Sequence, residues 1–230
     1  MGYSGIIGGS GLGIAMISFI YSITNTSAAI TLLCLAAMPF FTALLAFLFL
    51  KEKMSLNVWI SIFIATVGII IMAFGSSGSN SIIGFIFGML SSIGFSVFSV
   101  TLRWRTETPK FTTVAFSGLF CFIFASIMLL STNQVFFSTS YNGALFSLHG
   151  VLVCMGLILY SIGSKAIPAA ELTLLSLTEV IGGIFWVWLP ILGINEVPDS
   201  YTIIGGFFLF VSLVYYSLVM RWNKRFIALN

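Results

Sequence analysis

The sequence predicts an all-α integral membrane protein with about eight transmembrane helices, and three observations predict it. The 230 residues are 59% hydrophobic and only 7% charged, whereas soluble domains carry about 25% charge; so few charges could not cover a water-facing surface. Apolar runs of about 18 residues or more, long enough to cross a bilayer, recur from end to end, and mean hydropathy is +1.15. The basic residues, finally, fall only in alternate connectors. Barrel strands would show ten-residue alternation instead.

The spans follow in order, each closed by a short polar connector. Span A covers about 4–23 and ends at "TNTS". Span B, about 27–50, ends at "KEKMSLN", and span C, about 56–74, at "GSSGSNS". Span D, about 82–102, precedes "RWRTETPK"; span E, about 111–131, precedes "STNQVFFSTSYNG"; span F, about 145–165, precedes "KAIP". Span G, about 168–192, ends at "NEVPDS", and span H, about 201–221, leads into the tail "RWNKRFIALN". No connector is long enough for an independent soluble domain.

Charge placement sets orientation. Lys51 and Lys53 follow B; Arg103, Arg105 and Lys110 separate D from E; Lys165 separates F from G; Arg221, Lys224 and Arg225 follow H. These are all 9 Lys and Arg residues, and all share one side. The connector after G holds Glu196 and Asp199 instead. By the positive-inside rule the basic side faces the cytoplasm, as do both ends of this chain. A plasma membrane location, the inner membrane of a bacterium, is expected.

The residue inventory excludes several function classes. Cys34, Cys121 and Cys154 sit inside apolar runs without metal spacing, and His149 is the single histidine, so neither a metal site nor a cofactor is expected. The chain offers no paired carboxylates, no HExxH and no nucleophile with its base, so it is read as a non-enzyme. Nothing in it calls for nucleic acid. The partners expected are a small-molecule substrate and the lipid bilayer. Gly5, Gly9 and Gly13 in A, with Gly84 and Gly88 in D, form small-residue stripes that serve either contact within the chain or a homodimer seam.

An internal repeat narrows the field. "SAAITLLCLAAMPFFTALLAFLFLKEK" from Ser27 and "PAAELTLLSLTEVIGGIFWVWLPILGINE" from Pro168 share an opening pair of small residues, a Leu-Leu, a polar or proline-marked centre, an aromatic-rich half and a closing Glu. B is the second span and G the seventh, so the two copies cross in opposite directions. Inverted repeats of this kind mark secondary transporters, with the substrate site near the midplane. The second copy reads as five spans, residues 82–221, followed by a tail at 222–230; the first, residues 1–75, reads as three. The expectation is a chain two helices short of a ten-helix, five-plus-five bundle. A natural eight-span protein with an asymmetric first half is the alternative.

These residues resemble the EamA-type transporters of the drug/metabolite transporter superfamily. That family pattern has a Glu-Pro pair in the fourth helix of each half, an aromatic-rich segment after it and a Gly-Glu near the helix end. Here the first copy has Met38-Pro39 and the second Glu179-Val180, each keeping one member of the pair. The resemblance implies transport of a small organic metabolite such as an amino acid, often export, without ATP hydrolysis; an inactive or structural truncated membrane protein is the alternative.

The candidate substrate-binding residues are Glu179, Gly183, Trp186, Tyr160, Pro39 and Met38. Glu179 is an acid in an apolar span, where it costs roughly 2.5–3.5 kcal/mol on insertion scales and is functional by default. Positions 179, 183, 186 and 190 form one helical stripe, reading Glu179, Gly183, Trp186, Pro190. Gly182 and Gly183 leave room for a ligand or, alternatively, for close helix packing; Trp186 offers an apolar wall or a cation-binding ring face. Proton coupling through Glu179 is a further expectation. Pro39 is read as a mid-span kink that frees the Leu35 carbonyl. Pro168 and Glu171 read as helix-start chemistry, and Trp104 and Trp222 as interfacial anchors.

Overall fold

A computed structural model describes residues 2–52, 54–75, 82–104, 109–132, 139–189 and 200–228. Lys53, Arg105, Pro190, Glu196, Asp199 and the side chain of Trp222 lie outside the described residues. The described elements are helices: α1 (Tyr3–Asn25), α2 (Ala28–Leu35), α3 (Met38–Leu45) continued by a wider π-helical turn (Ala46–Leu50), α4 (Leu56–Gly75), α5 (Ile82–Trp104), α6 (Lys110–Thr132), α7 (Ser140–Gly163), α8 (Ala169–Leu175), α9 (Leu177–Trp188) and α10 (Ser200–Ala228). The protein is an all-α membrane protein, as the sequence predicts. Among the described residues, six spans are long and apolar enough to cross a bilayer, and α4 and α10 contribute shorter apolar stretches, Leu56–Ile71 and Ile203–Tyr216.

Spans B and G depart from the expectation of single helices. Each is two helices in line: α2 and α3 are joined through Ala36 and Ala37, and α8 and α9 through Ser176. Their starts differ in chemistry. Ser27 caps α2 by accepting the Ile30 N–H, as small hydroxyl residues do at helix starts, while Pro168 occupies the corresponding place before α8.

Packing follows from small residues and hydroxyls rather than from a driving force between apolar helices, since lipid is as apolar as the helix surface. The long helix α5 lies along α1, and α4 along α10. At the first crossing, a Cβ on Gly94 would stand 2.6 Å from the Gly11 carbonyl oxygen, so only glycine admits this approach. At the second, a Cβ on Gly68 would stand 2.7 Å from the Gly205 carbonyl oxygen. The stripes seen in sequence are likewise used inside the chain: Gly9 meets Phe116, Gly84 meets Thr26, and Gly88 meets Cys34. Serine hydroxyls then tie helix to helix through main-chain carbonyls. Ser91 donates to Ala15 at 2.8 Å, Ser22 to Gly84 at 2.8 Å and Ser212 to Ser61 at 2.7 Å.

The main core gathers α2, α3, α4, α8, α9 and α10 around Leu33, Met38, Val58, Leu174, Leu177, Val180 and Leu209. A second, smaller core holds Leu12, Phe98, Leu102 and Val114, with Tyr160 packed against it. In the fold, α2 packs on α9 and α3 on α8. The two broken spans therefore pair head to tail, and their breaks lie together in the middle of the bundle.

Candidate functional site

A break inside a membrane leaves backbone groups without helical partners, and these must be satisfied locally. The two breaks solve this differently. In span B the helix tightens before it stops: the Ala36 N–H reaches the Leu32 and Leu33 carbonyls at 3.0 and 3.1 Å, and the Ala37 N–H reaches Cys34 at 3.1 Å. The new helix then starts with Phe40 and Phe41 bonding back to the Ala37 carbonyl. Pro39 consequently sits in the first turn of α3, where a missing N–H is tolerated. It opens a helix instead of kinking one, which refines the mid-span reading. From α5, Ser96 donates to the Met38 carbonyl at 3.1 Å. The Met38 side chain is buried in the main core, as is Pro39 against its neighbours.

In span G no proline is involved. Hydroxyls compete for the helix carbonyls instead. Thr173 bonds the Ala169 and Ala170 carbonyls at 3.2 and 3.0 Å, Ser176 bonds Leu172 at 3.1 Å, and Thr178 bonds Leu175 at 2.8 Å. After Ser176 the chain restarts, with the Glu179 N–H bonding the Ser176 carbonyl at 2.9 Å. Glu179 therefore lies in the first turn of a half-helix, where the positive end of the helix dipole favours a carboxylate. Its side chain is exposed at the surface of the chain.

Tyr160 of α7 points at the same place. Its hydroxyl shares a 2.7 Å hydrogen bond with Ser99 of α5 and lies within side-chain hydrogen-bonding reach of Ser176, with the charge of Glu179 acting on it through space. Its ring is held edge-on by Phe95 at 5.1 Å and stacked on Phe98 at 6.2 Å. Glu179, Ser176, Tyr160 and Ser99 thus form one polar group beside the break, with an aromatic wall behind it. Gly182 faces open space, whereas Gly183 is used for packing: a Cβ there would stand 2.9 Å from Leu32 Cδ1 of α2. Trp186 is 55% exposed, two turns further along α9. The side chains of Met38 and Pro39 are buried.

A sequence profile of the EamA-like transporter family matches residues 1–74. The pseudopaline exporter CntI of Pseudomonas aeruginosa is 24% identical over 202 residues, covering 86% of this chain and 69% of its own. An uncharacterized transporter of Clostridium kluyveri is 26% identical over 225 residues, covering 92% and 70%, and one of Helicobacter pylori is 35% identical over 91 residues, covering 40% and 30%. The chain is thus similar to EamA-like transporters, through its first 74 residues and through these relatives. A crystal structure, described only as that of a protein, shares the fold at a TM-score of 0.71 over 96% of this chain and 77% of its own, at 15% identity. Membrane transport is accordingly the function of this family, and its named members are transporters, not enzymes.

Two features of this chain escaped the sequence reading. Ser99 and Ser176 were not singled out, although Ser92, Ser96, Ser99 and Arg103 recur at helical spacing along α5, a polar stripe in an apolar span that signals an inward face. Glu171 stands in the first turn of α8 as predicted, but it also accepts the Tyr216 hydroxyl of α10 at 2.7 Å, a tertiary link that spacing could not show. At the basic end of the bundle the serine stripe terminates in Arg103. Its Nε bonds Glu52 Oε1 at 3.1 Å, and its Nη1 approaches the Ser164 and Ile167 carbonyls at 3.4 and 3.3 Å. One guanidinium thereby joins the end of span B to the turn between F and G. Trp104, beside it, is 48% exposed at the helix end.

Proposed function

We propose that this chain is a secondary, ATP-independent carrier that exports a small organic metabolite, such as an amino acid or related compound. The observation that carries this reading is the pairing of two broken spans, with Glu179 at the start of one half-helix and Tyr160 beside it. Discontinuous helices at the midplane are where carriers of this kind build their sites. Opposed breaks in B and G also support reading residues 1–75 and 82–221 as two inverted repeats, with the basic end on the cytoplasmic side of a bacterial inner membrane. The printed name of one relative, an exporter, favours the outward direction.

Glu179, with Ser176 and Tyr160, would take the polar or cationic part of the solute, and Trp186 its apolar part. Met38, Pro39 and Gly183 would shape the site from behind, through the packing of α2 and α3. The experiment is uptake and efflux in vesicles containing the full gene product, with a metabolite panel and an imposed pH gradient. Glu179→Gln is expected to lower transport at least tenfold, about 1.4 kcal/mol of lost stabilisation, and to flatten any dependence on the gradient. Normal expression with unchanged transport and unchanged pH response would remove Glu179 from the mechanism.

A further inference from the structure

α1 and α7 hold the same place in the two repeats, each standing just before a broken span, yet they are packed very differently. α1 buries a row of residues that runs from Ser4 to Ser22 and lies against α5 and α6. α7, of nearly equal length, buries only Ser161, close to its end. Residues 144–152 of α7 are exposed without exception, more than two turns of helix, so no face of that stretch is covered. Its leucines and phenylalanine suit lipid; its polar residues do not. His149 is exposed about 14 Å into the helix from Ser140, at a depth where ionisable side chains almost always face protein or water.

The glycines tell the same story. In α1, Gly8, Gly9, Gly11 and Gly13 meet Thr101, Phe116, Gly94 and Phe120 of α5 and α6. In α7, a Cβ on Gly150 or Gly156 would meet nothing within 4 Å. Ser147, Gly150 and Cys154 follow one face of α7, the kind of small-residue row on which membrane helices pack closely.

The repeat indicates what belongs there. α5 and α6 are the first and second helices of the second repeat, and α1, the third helix of the first repeat, packs on both. Inverting that relation sets α7, the third helix of the second repeat, against the first and second helices of the first. Spans A, B and C are the counterparts of F, G and H, so none of them is that pair. In the second repeat the pair directly precedes α7; its counterpart directly precedes α1. Relatives are long enough to hold it, since the matched regions make up 69% and 70% of two of them.

We propose that the face of α7 around Ser147, Gly150 and Cys154 docks a hairpin of two apolar transmembrane helices, encoded ahead of α1 in the full gene product. This rests on the inverted-repeat reading and gives it a contact surface. α5 also packs on α2 and α3, so by the same inversion the first helix of the hairpin lies along α8 and α9. There it covers Glu179, whose side chain is exposed on this chain, and completes the wall around the polar group at the break in G.

The test compares residues 1–230 with the full gene product, both in phosphatidylcholine nanodiscs. Gly150→Leu is expected not to lower the unfolding midpoint of residues 1–230, and to lower that of the full product by about 4 °C or more through overpacking of the seam. A photoreactive p-benzoylphenylalanine in place of Val151 is expected, on irradiation, to join peptides from ahead of α1, identified by mass spectrometry; it decides the matter should Gly150→Leu not fold. Equal effects of Gly150→Leu in the two proteins, or photoproducts with lipid alone, would overturn the proposal. A photoproduct of twice the mass would overturn it too, by assigning the face to a second copy, as would a gene product without two apolar spans ahead of α1. Neither readout depends on transport, so a hairpin that docks elsewhere removes this surface and leaves the carrier reading to the Glu179→Gln result.

Discussion

Removing one oxygen from Tyr160 tests whether the polar group beside Ser176 works as a unit. Tyr160→Phe keeps the ring and with it the packing on Phe95 and Phe98. It removes the 2.7 Å bond to Ser99 and the approach to Ser176. Ser99 keeps its own bond to the Phe95 carbonyl at 2.9 Å, so no hydroxyl is orphaned. Side-chain hydrogen bonds within membrane bundles average about 0.6 kcal/mol each, roughly a threefold bias in an equilibrium. If the Ser99 bond fixes the geometry of the break that positions Glu179, transport per folded molecule should fall by about threefold. Ser99→Ala, which removes the same bond from the other side, should cost about as much. The assay is initial transport rate in vesicles, normalised to folded protein by size-exclusion profile. If Tyr160→Phe transports as the parent does while its thermal midpoint falls, the hydroxyl is a structural tie alone and the reasoning is refuted.

Three further outcomes follow from the geometry. Gly94→Leu sets side-chain atoms where the Gly11 carbonyl and the Ala15 nitrogen already stand, 2.6 and 3.0 Å from a Cβ; neither backbone can yield, so thermal unfolding should show a loss of about 3 kcal/mol or more, while Gly150→Ala, in open space, should be neutral or slightly stabilising. Lys51 holds a left-handed conformation at φ 54, which glycine adopts without strain, so Lys51→Gly should stabilise by about 1 kcal/mol and raise the unfolding midpoint. Arg103→Gln leaves the partly enclosed Glu52 without its counter-charge and should destabilise by about 1–3 kcal/mol, most of it recovered in the double variant Glu52→Gln with Arg103→Gln; additive effects in that cycle would show the pair to be idle.

The helical membrane fold was legible because bilayer chemistry acts on composition and length, which a sequence displays directly. The likeness of spans B and G was legible because a repeat copies residue order. What hid was whatever depends on a third element. Pro39 read as a kink within a helix, yet the break falls before it at Ala36 and Ala37, and the Met38 carbonyl in the restarted turn takes a hydrogen bond from Ser96 of another helix. Gly183 offered room as one of two readings, but Leu32 of α2 fills that room. Ser176 carried no signal of a break, since serine occurs in intact membrane helices throughout this chain. Only the run Thr173, Ser176, Thr178, each bonded to a carbonyl one turn back, shows how several weak competitors do what one proline does.

That contrast bears on where a solute would bind. The break in B is finished: its carbonyl at Met38 is satisfied by Ser96, and Met38 and Pro39 are buried among apolar neighbours. Met38 and Pro39 themselves offer a polar solute nothing, although Thr42 Oγ1 one turn on and Ser92 Oγ of α5 are buried without a partner. The break in G is held by hydroxyls, begins a half-helix whose dipole end carries Glu179, and is flanked by the hydroxyls of Tyr160 and Ser99. Two spans that share an order of residues have therefore divided the work. One supplies an apolar brace that fixes the crossing, and the other gathers the groups that prefer a polar partner. A carrier built from true equals would present two acids across its midline. Among the described residues these breaks present one, Glu179, so on the function proposed above the solute would be recognised asymmetrically, chiefly from α7 and α9.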